Sequence, residues 1–183
     1  MNNKNYGILN LKVIDNIIEN KRNEMFELFK KKLSRVSVDS ILDIGTTEEN
    51  LLKSSNFFVK KFQYIKIKKS ISDQNIDKKY FDRFIKKSIT SDFESKDIEL
   101  FKSDLVISSA TIEHVGNVEN QKKMLENIIS LTNKVFFVTT PYRFYPIDFH
   151  TKIPFIHMLP KKIHRAILKL LKLEDFAKEE NLN

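Results

Sequence analysis

Between residues 37 and 140 short apolar runs alternate with longer segments whose apolar residues recur every third or fourth position. Ser37 to Ile44 reads as a first strand, with Ile41, Leu42 and Ile44 apolar and Gly45 stopping it. Phe62 to Ile67 alternates apolar and polar residues and reads as a second strand, followed by a polar loop from Ser70 to Lys79. Arg83 to Ile89 is a weaker third, Ser103 to Ser108 a fourth, and Lys134 to Thr139 a fifth with the core run Val135–Val138. Helical spacing covers Leu11 to Ser34, Asn117 to Thr132 and Lys161 to Leu173, and Glu48 to Lys61 is compatible with a helix. Alternation of this kind predicts an α/β domain, a mostly parallel sheet of about five strands with helices on both faces.

Size and composition narrow the reading. A chain of 183 residues with 41% hydrophobic residues is long enough to bury a core in one domain. It has no cysteine, so neither a disulfide framework nor a thiolate metal site is open to it. Its apolar runs are too short for a membrane span, and the polar start Met1–Asn5 has no secretory pattern, which makes a cytoplasmic protein the default expectation. The net charge of +8 raises nucleic acid as a partner. However, 27 of the 32 cations are lysines spread along the chain, and Lys, Asn and Ile fill 65 of 183 positions. That pattern reads as solvated surface in a compositionally biased chain, since bidentate recognition of phosphate favours arginine.

Asp104 to His114 carries the most chemistry. It begins as a strand buried on both faces and ends in Ser108, Ser109, Ala110, Glu113 and His114. In an open parallel sheet, ligands bind beyond the carboxyl ends of the strands. An imidazole there can accept a proton near neutral pH. Asp43-Ile44-Gly45-Thr46-Thr47 forms a second strand-to-helix junction, where a glycine lets a ligand approach the backbone. It is neither a dinucleotide fingerprint nor a P-loop, and Glu48 and Glu49 at the helix start disfavour phosphate. All four prolines fall in the aromatic stretch after the fifth strand, at 141, 146, 154 and 160. His150 and His157 lie in that stretch without the cluster of partners a metal site needs.

Asp43-Ile44-Gly45, the run Asp104 to Val115, and Val138-Thr139-Thr140-Pro141, in this order, resemble the class I S-adenosylmethionine-dependent methyltransferases, and most of all the methyltransferase type 11-like subgroup. The stretch Tyr142 to Thr151, the stretch Ile153 to Pro160 and the ending Phe176 to Asn183 fit as well, so the resemblance covers roughly residues 38 to 183. It implies a Rossmann-like three-layer fold that binds S-adenosylmethionine and transfers its methyl group to a small-molecule or saccharide-type acceptor. Asp43, Gly45, Thr46, Ser108, Ser109 and Ala110 would line the cofactor, and Glu113 and His114 would stand at the methyl-transfer mouth. Tyr142, Arg143, Tyr145 and His150 would line the acceptor pocket. The implied organisation is an N-terminal helical extension at 1–36, a cofactor core at 37–140 and an acceptor-side cap at 141–183.

The chain departs from the family pattern in three places. Thr47 replaces the second glycine of the usual glycine turn. The acid expected at the end of the second strand falls on Lys66 or Lys68, leaving Asp73 as the substitute. Only about ten residues follow Leu173, fewer than the family's terminal hairpin requires. Two other readings therefore stand beside the enzyme: a degenerate, non-catalytic binding or scaffold module of the same fold, and a nucleic-acid-binding or RNA-modifying protein. A sheet lacking its hairpin would expose an edge through which the chain could self-associate.

Overall fold

A computed structural model describes residues 12–48, 55–142, 144–148, 151 and 153–178. Five strands, β1 (Ser40–Ile44), β2 (Ile67–Ser72), β3 (Arg83–Lys86), β4 (Ser103–Ser109) and β5 (Thr132–Thr139), form one sheet in the order β3-β2-β1-β4-β5. Every pairing is parallel. The helices are α1 (Lys12–Leu33), α2 (Phe57–Lys61), α3 (Ser95–Phe101), α4 (Val118–Ser130) and α5 (Lys161–Leu170). This is the expected Rossmann-like α/β sandwich, and it has two cores.

On one face, Phe26, Phe29 and Leu33 of α1 pack with Phe58, Val59, Phe62 and Ile65 against Ile41, Leu105 and Ile107. Phe29 stacks on Phe137 with ring centroids 4.1 Å apart. On the other face, Met124, Ile128 and Leu131 of the α4 region cover Leu42, Ile44, Ile71 and Val106, with Ile89 and Phe101 completing the layer. Successive strand residues point to opposite faces, so a strand buried on both sides must be apolar at every position. That is why Leu105-Val106-Ile107 was readable as a central strand. Asn117 caps α4 by accepting from the Asn120 N–H, close to where the sequence placed the helix start.

The second strand is a correction. It runs Ile67–Ser72, starting where the expected strand ended and continuing into the expected loop from Ser70, and Phe62 and Ile65 belong to the α1–α2 core instead. Of the four buried residues of β2, Ile71 is apolar and the other three are polar but matched. Lys69 lays its stem in the interior and donates to the Lys102 carbonyl at 2.7 Å, Ser70 bonds Thr46, and Ser72 donates to the Thr46 carbonyl. Hydrophobic periodicity cannot detect a strand whose buried side chains are polar and satisfied. The third strand is shorter than expected, ending at Lys86, and α3 arises from a stretch with no assigned element. The last helix stops at Leu170 because Lys172 turns left-handed with φ 59°, and Lys172 and Leu173 donate back to the Lys169 and Leu168 carbonyls.

Candidate functional site

The chain turns from β1 to β2 on one side of the sheet and to β4 and β5 on the other. The switch point therefore lies between β1 and β4. Beyond their carboxyl ends stand Gly45, Ser108, Ser109, Ala110 and Thr111, with the end of β2 beside them. In open α/β sheets this crevice is the ligand site.

Asp43 is buried, and its carboxylate accepts from Thr46 Oγ1 at 2.6 Å. Thr46 Oγ1 in turn lies 2.7 Å from Ser70 Oγ. Burial pushes the Asp43 carboxyl from its ordinary value of 3.8 up to about 6, against the opposing effect of the Thr46 hydrogen bond. Asp43 and Thr46 thus join in an interior carboxylate–hydroxyl triad that braces the β1 turn against β2.

Gly45 has φ +83°, a conformation suited to glycine. The space of its missing side chain is filled from within the protein: a Cβ there would lie 2.2 Å from Thr111 Oγ1. The glycine is therefore required by the packing of Thr111, independently of any ligand. Thr47 is stapled by Asn56, whose Oδ1 accepts the Thr47 N–H at 3.0 Å and whose Nδ2 donates to the Thr47 carbonyl at 2.8 Å. The backbone donor that a phosphate would use at this turn is already engaged.

Across the switch point, Ser108 is buried and donates to the Ile44 carbonyl at 3.3 Å, joining the ends of β4 and β1. Ser109 is partly exposed and accepts from Thr139 Oγ1 at 3.0 Å. Ala110 adopts φ +54°, and its N–H is held by the Thr139 carbonyl at 2.8 Å. A left-handed alanine costs roughly 1 kcal/mol, and here it lies at the mouth of the crevice.

A 3₁₀ turn at Ile112–His114 separates the acid from the imidazole. Glu113 is buried and accepts from Thr140 Oγ1 at 3.2 Å, whereas His114 faces solvent.

In the Pro/aromatic segment, Tyr142 and Tyr145 are exposed, and Tyr142 meets Phe144 edge-on with centroids 5.8 Å apart. Arg143 and His150 lie outside the described residues. The same segment carries a polar anchor without a sequence forewarning. Asp148 is buried and accepts both the backbone N–H and the hydroxyl of Thr151, while His157 Nε2 lies 2.7 Å from the Tyr145 carbonyl oxygen. Among the described residues, no group of three His, Asp or Glu side chains is placed to hold a metal ion. Nor is any described helix long and apolar enough to cross a membrane.

The structure also recasts Asp73. With β2 ending at Ser72, Asp73 is the first residue past that strand, exposed and next to the crevice. The lysines expected there, Lys66 and Lys68, lie before the strand and near its beginning. Thr111, Thr139 and Thr140, which lie in the singled-out motifs but were given no role, and Asn56, which the sequence reading passed over, also stand at the candidate site. For Thr111 a signal existed, because it follows directly on the Ser-Ser-Ala turn.

No family model and no curated protein matches the chain. Among solved structures it is similar to the N-methyltransferase NodS from Bradyrhizobium japonicum WM9. One crystal structure of that protein, in complex with S-adenosyl-L-homocysteine, aligns at 13% identity and TM-score 0.44 over 61% of this chain and 56% of that one. A second aligns at 14% identity and TM-score 0.45 over 65% of each chain, so the present chain spans less than two thirds of NodS.

Proposed function

We propose that this chain is an S-adenosylmethionine-dependent methyltransferase acting on a small-molecule or saccharide-type acceptor. The supporting observation is the convergence of Gly45, Asp73 and the Ser109–Ala110 turn at the switch point of a β3-β2-β1-β4-β5 parallel sheet. The donor set suits that cofactor. Asp73 offers an exposed carboxylate where two neighbouring ribose hydroxyls need an acceptor. The Ser109 hydroxyl and the strained Ala110 turn offer a polar rim at the other side. When bound, S-adenosylmethionine supplies a sulfonium methyl group that an aligned nucleophile displaces.

The protein's task is alignment and exclusion of water. Asp43 and Thr46 act from beneath, holding the β1 turn. Ser108 fixes the distance between the two walls. Glu113, through Thr140, fixes the turn that carries His114. His114 takes the proton of an acceptor hydroxyl or ammonium, and Tyr142, Arg143, Tyr145 and His150 line the acceptor side. Residues 37–140 form the cofactor core in this reading, 141–183 the acceptor-side cap and 1–36 a helical extension, in a cytoplasmic enzyme.

Titration calorimetry with S-adenosylmethionine and S-adenosylhomocysteine tests the proposal. Binding of either, weakened at least tenfold in Asp73→Asn, is the expected result. No binding of either at millimolar concentration overturns it. One observation favours a non-catalytic member of the fold instead: Thr111 and Asn56 already occupy the glycine turn where the cofactor would press closest. Binding without turnover of any acceptor would support that second reading.

The partner proposal is a second copy of this chain across β5. Among the described strands β5 pairs only with β4, and beside it runs a groove of about 600 Å³ lined by Met25, Leu28, Lys32, Val135 and Phe136. Lys134, the cation on this strand that would discourage edge pairing, is tied back to Asp104 at 3.4 Å.

A further inference from the structure

We propose that α5 docks the protein on an anionic lipid surface, through an apolar stripe turned outward and rimmed by lysines. The stripe is Ile163, Ala166, Ile167 and Leu170, the positions i, i+3, i+4 and i+7 of one helix face. In a helix that covers a core, this face is buried. Here the helix is seated on the body through Leu168, which is fully buried, while Ile163 is 51% and Leu170 83% exposed. Leu171, at the helix end, is also exposed. Ile163, Ala166 and Leu170 of the stripe are thus presented to solvent, and Ile167 is half-buried.

The surroundings of the stripe select its partner. From Lys161 to Leu173 the chain carries Lys161, Lys162, Arg165, Lys169 and Lys172 and no acid. Lys162 and Lys169, seven residues apart and so on the same flank of the stripe, are exposed. Packing this face on a second copy would bring two sets of these cations together, which like-charge repulsion opposes. A nucleic acid would satisfy the lysines but leave the apolar stripe in water. An interface of anionic headgroups over acyl chains satisfies both, and a helix with an apolar face and lysine flanks lies in such an interface. Each lysine near an anionic bilayer contributes attraction, and each buried leucine-sized side chain contributes more.

Co-sedimentation of the full chain with vesicles tests the proposal. Vesicles of phosphatidylcholine alone are compared with vesicles of phosphatidylcholine and phosphatidylglycerol. The wild type is expected to bind the anionic vesicles at least tenfold better. Ile163→Gln/Leu170→Gln and, separately, Lys162→Gln/Lys169→Gln are each expected to weaken that binding roughly tenfold or more. Both double variants should keep the wild-type melting midpoint, because the replaced side chains are exposed and glutamine is a good helix former.

Four results overturn the proposal. The first is a wild type that stays in the supernatant with both vesicle types. The second is Ile163→Gln/Leu170→Gln binding as well as the wild type, which marks a charge contact alone. The third is loss of a wild-type oligomer in that variant, which marks a second copy as the occupant. The fourth is a lowered melting midpoint in that variant, which shows the stripe to be covered by the chain itself.

Discussion

Thr140 Oγ1 donates to the buried Glu113 carboxylate across 3.2 Å, tying the end of β5 to the turn after β4. The adjacent His114 faces solvent, so the acid and the imidazole that stand side by side in the chain have different surroundings. Glu113→Ala should cost about 2 kcal/mol of stability, as expected for losing a buried charge-assisted hydrogen bond. His114→Ala should leave stability within about 0.5 kcal/mol of wild type. On the proposed function, His114→Ala should lower kcat roughly a hundredfold in a methyl-transfer assay, with cofactor binding unchanged.

Asp43 makes stability depend on pH. Its folded-state carboxyl is raised to about 6 from 3.8, so between these values the native state holds more protons than the unfolded chain. The contribution is complete below pH 3.8 and is lost as pH rises through about 6. A shift of that size corresponds to roughly 3 kcal/mol. Denaturant titrations from pH 4 to 7 should show this downward slope superimposed on the other groups, and Asp43→Asn should remove it.

Gly45 and Thr111 should behave as one unit. Gly45→Ala meets both an unfavourable φ and Thr111 Oγ1 at 2.2 Å, so it should cost well over 1 kcal/mol. Adding Thr111→Ala removes the two shortest contacts and leaves the backbone term and the Thr111 Cβ at 3.0 Å. A double-mutant cycle of unfolding free energies should therefore show a coupling of about 1 kcal/mol or more. Strict additivity would contradict the packing role of the glycine.

Asn127 lies buried on α4 and donates to the Ile89 carbonyl at 2.6 Å and the Ser91 carbonyl at 2.9 Å. It holds the loop after β3 against α4, alongside the packing of Ile89 in the apolar layer. Asn127→Ala should cost about 2 kcal/mol through one buried and one partly buried carbonyl left without this donor. Amide exchange around Ile89 and Ser91 should quicken more than exchange in β4.

Phe136 is 48% exposed on β5 beside the α1 groove. If two copies pair through this strand, light scattering should give the mass of a dimer. Phe136→Lys, which places a charge on the edge, should give a monomer with unchanged secondary structure. A wild-type monomer at high concentration would refute the pairing.

Legibility followed the chemistry of burial. β1, β4, β5 and α4 were readable because their inward positions are apolar, so periodicity reports them. β2 was misplaced because Lys69, Ser70 and Ser72 point inward and are satisfied by Lys102 and Thr46. That one shift puts Asp73, the substitute acid of the sequence reading, directly past the strand end. The Gly45 signal was legible, but its cause was not: a glycine is needed equally for a ligand and for Thr111, and only the packed structure distinguishes them.

The sequence by itself determined the α/β class, the central strands and the Ser-Ser-Ala turn at the edge of the crevice, since these rest on local periodicity and chain order. Tertiary structure decided the register of β2, the burial of Asp43 and Glu113, the exposure of His114 and the outward turn of the α5 stripe. Each of these depends on which distant residue fills the space or supplies the hydrogen bond, and a one-dimensional pattern carries no record of that.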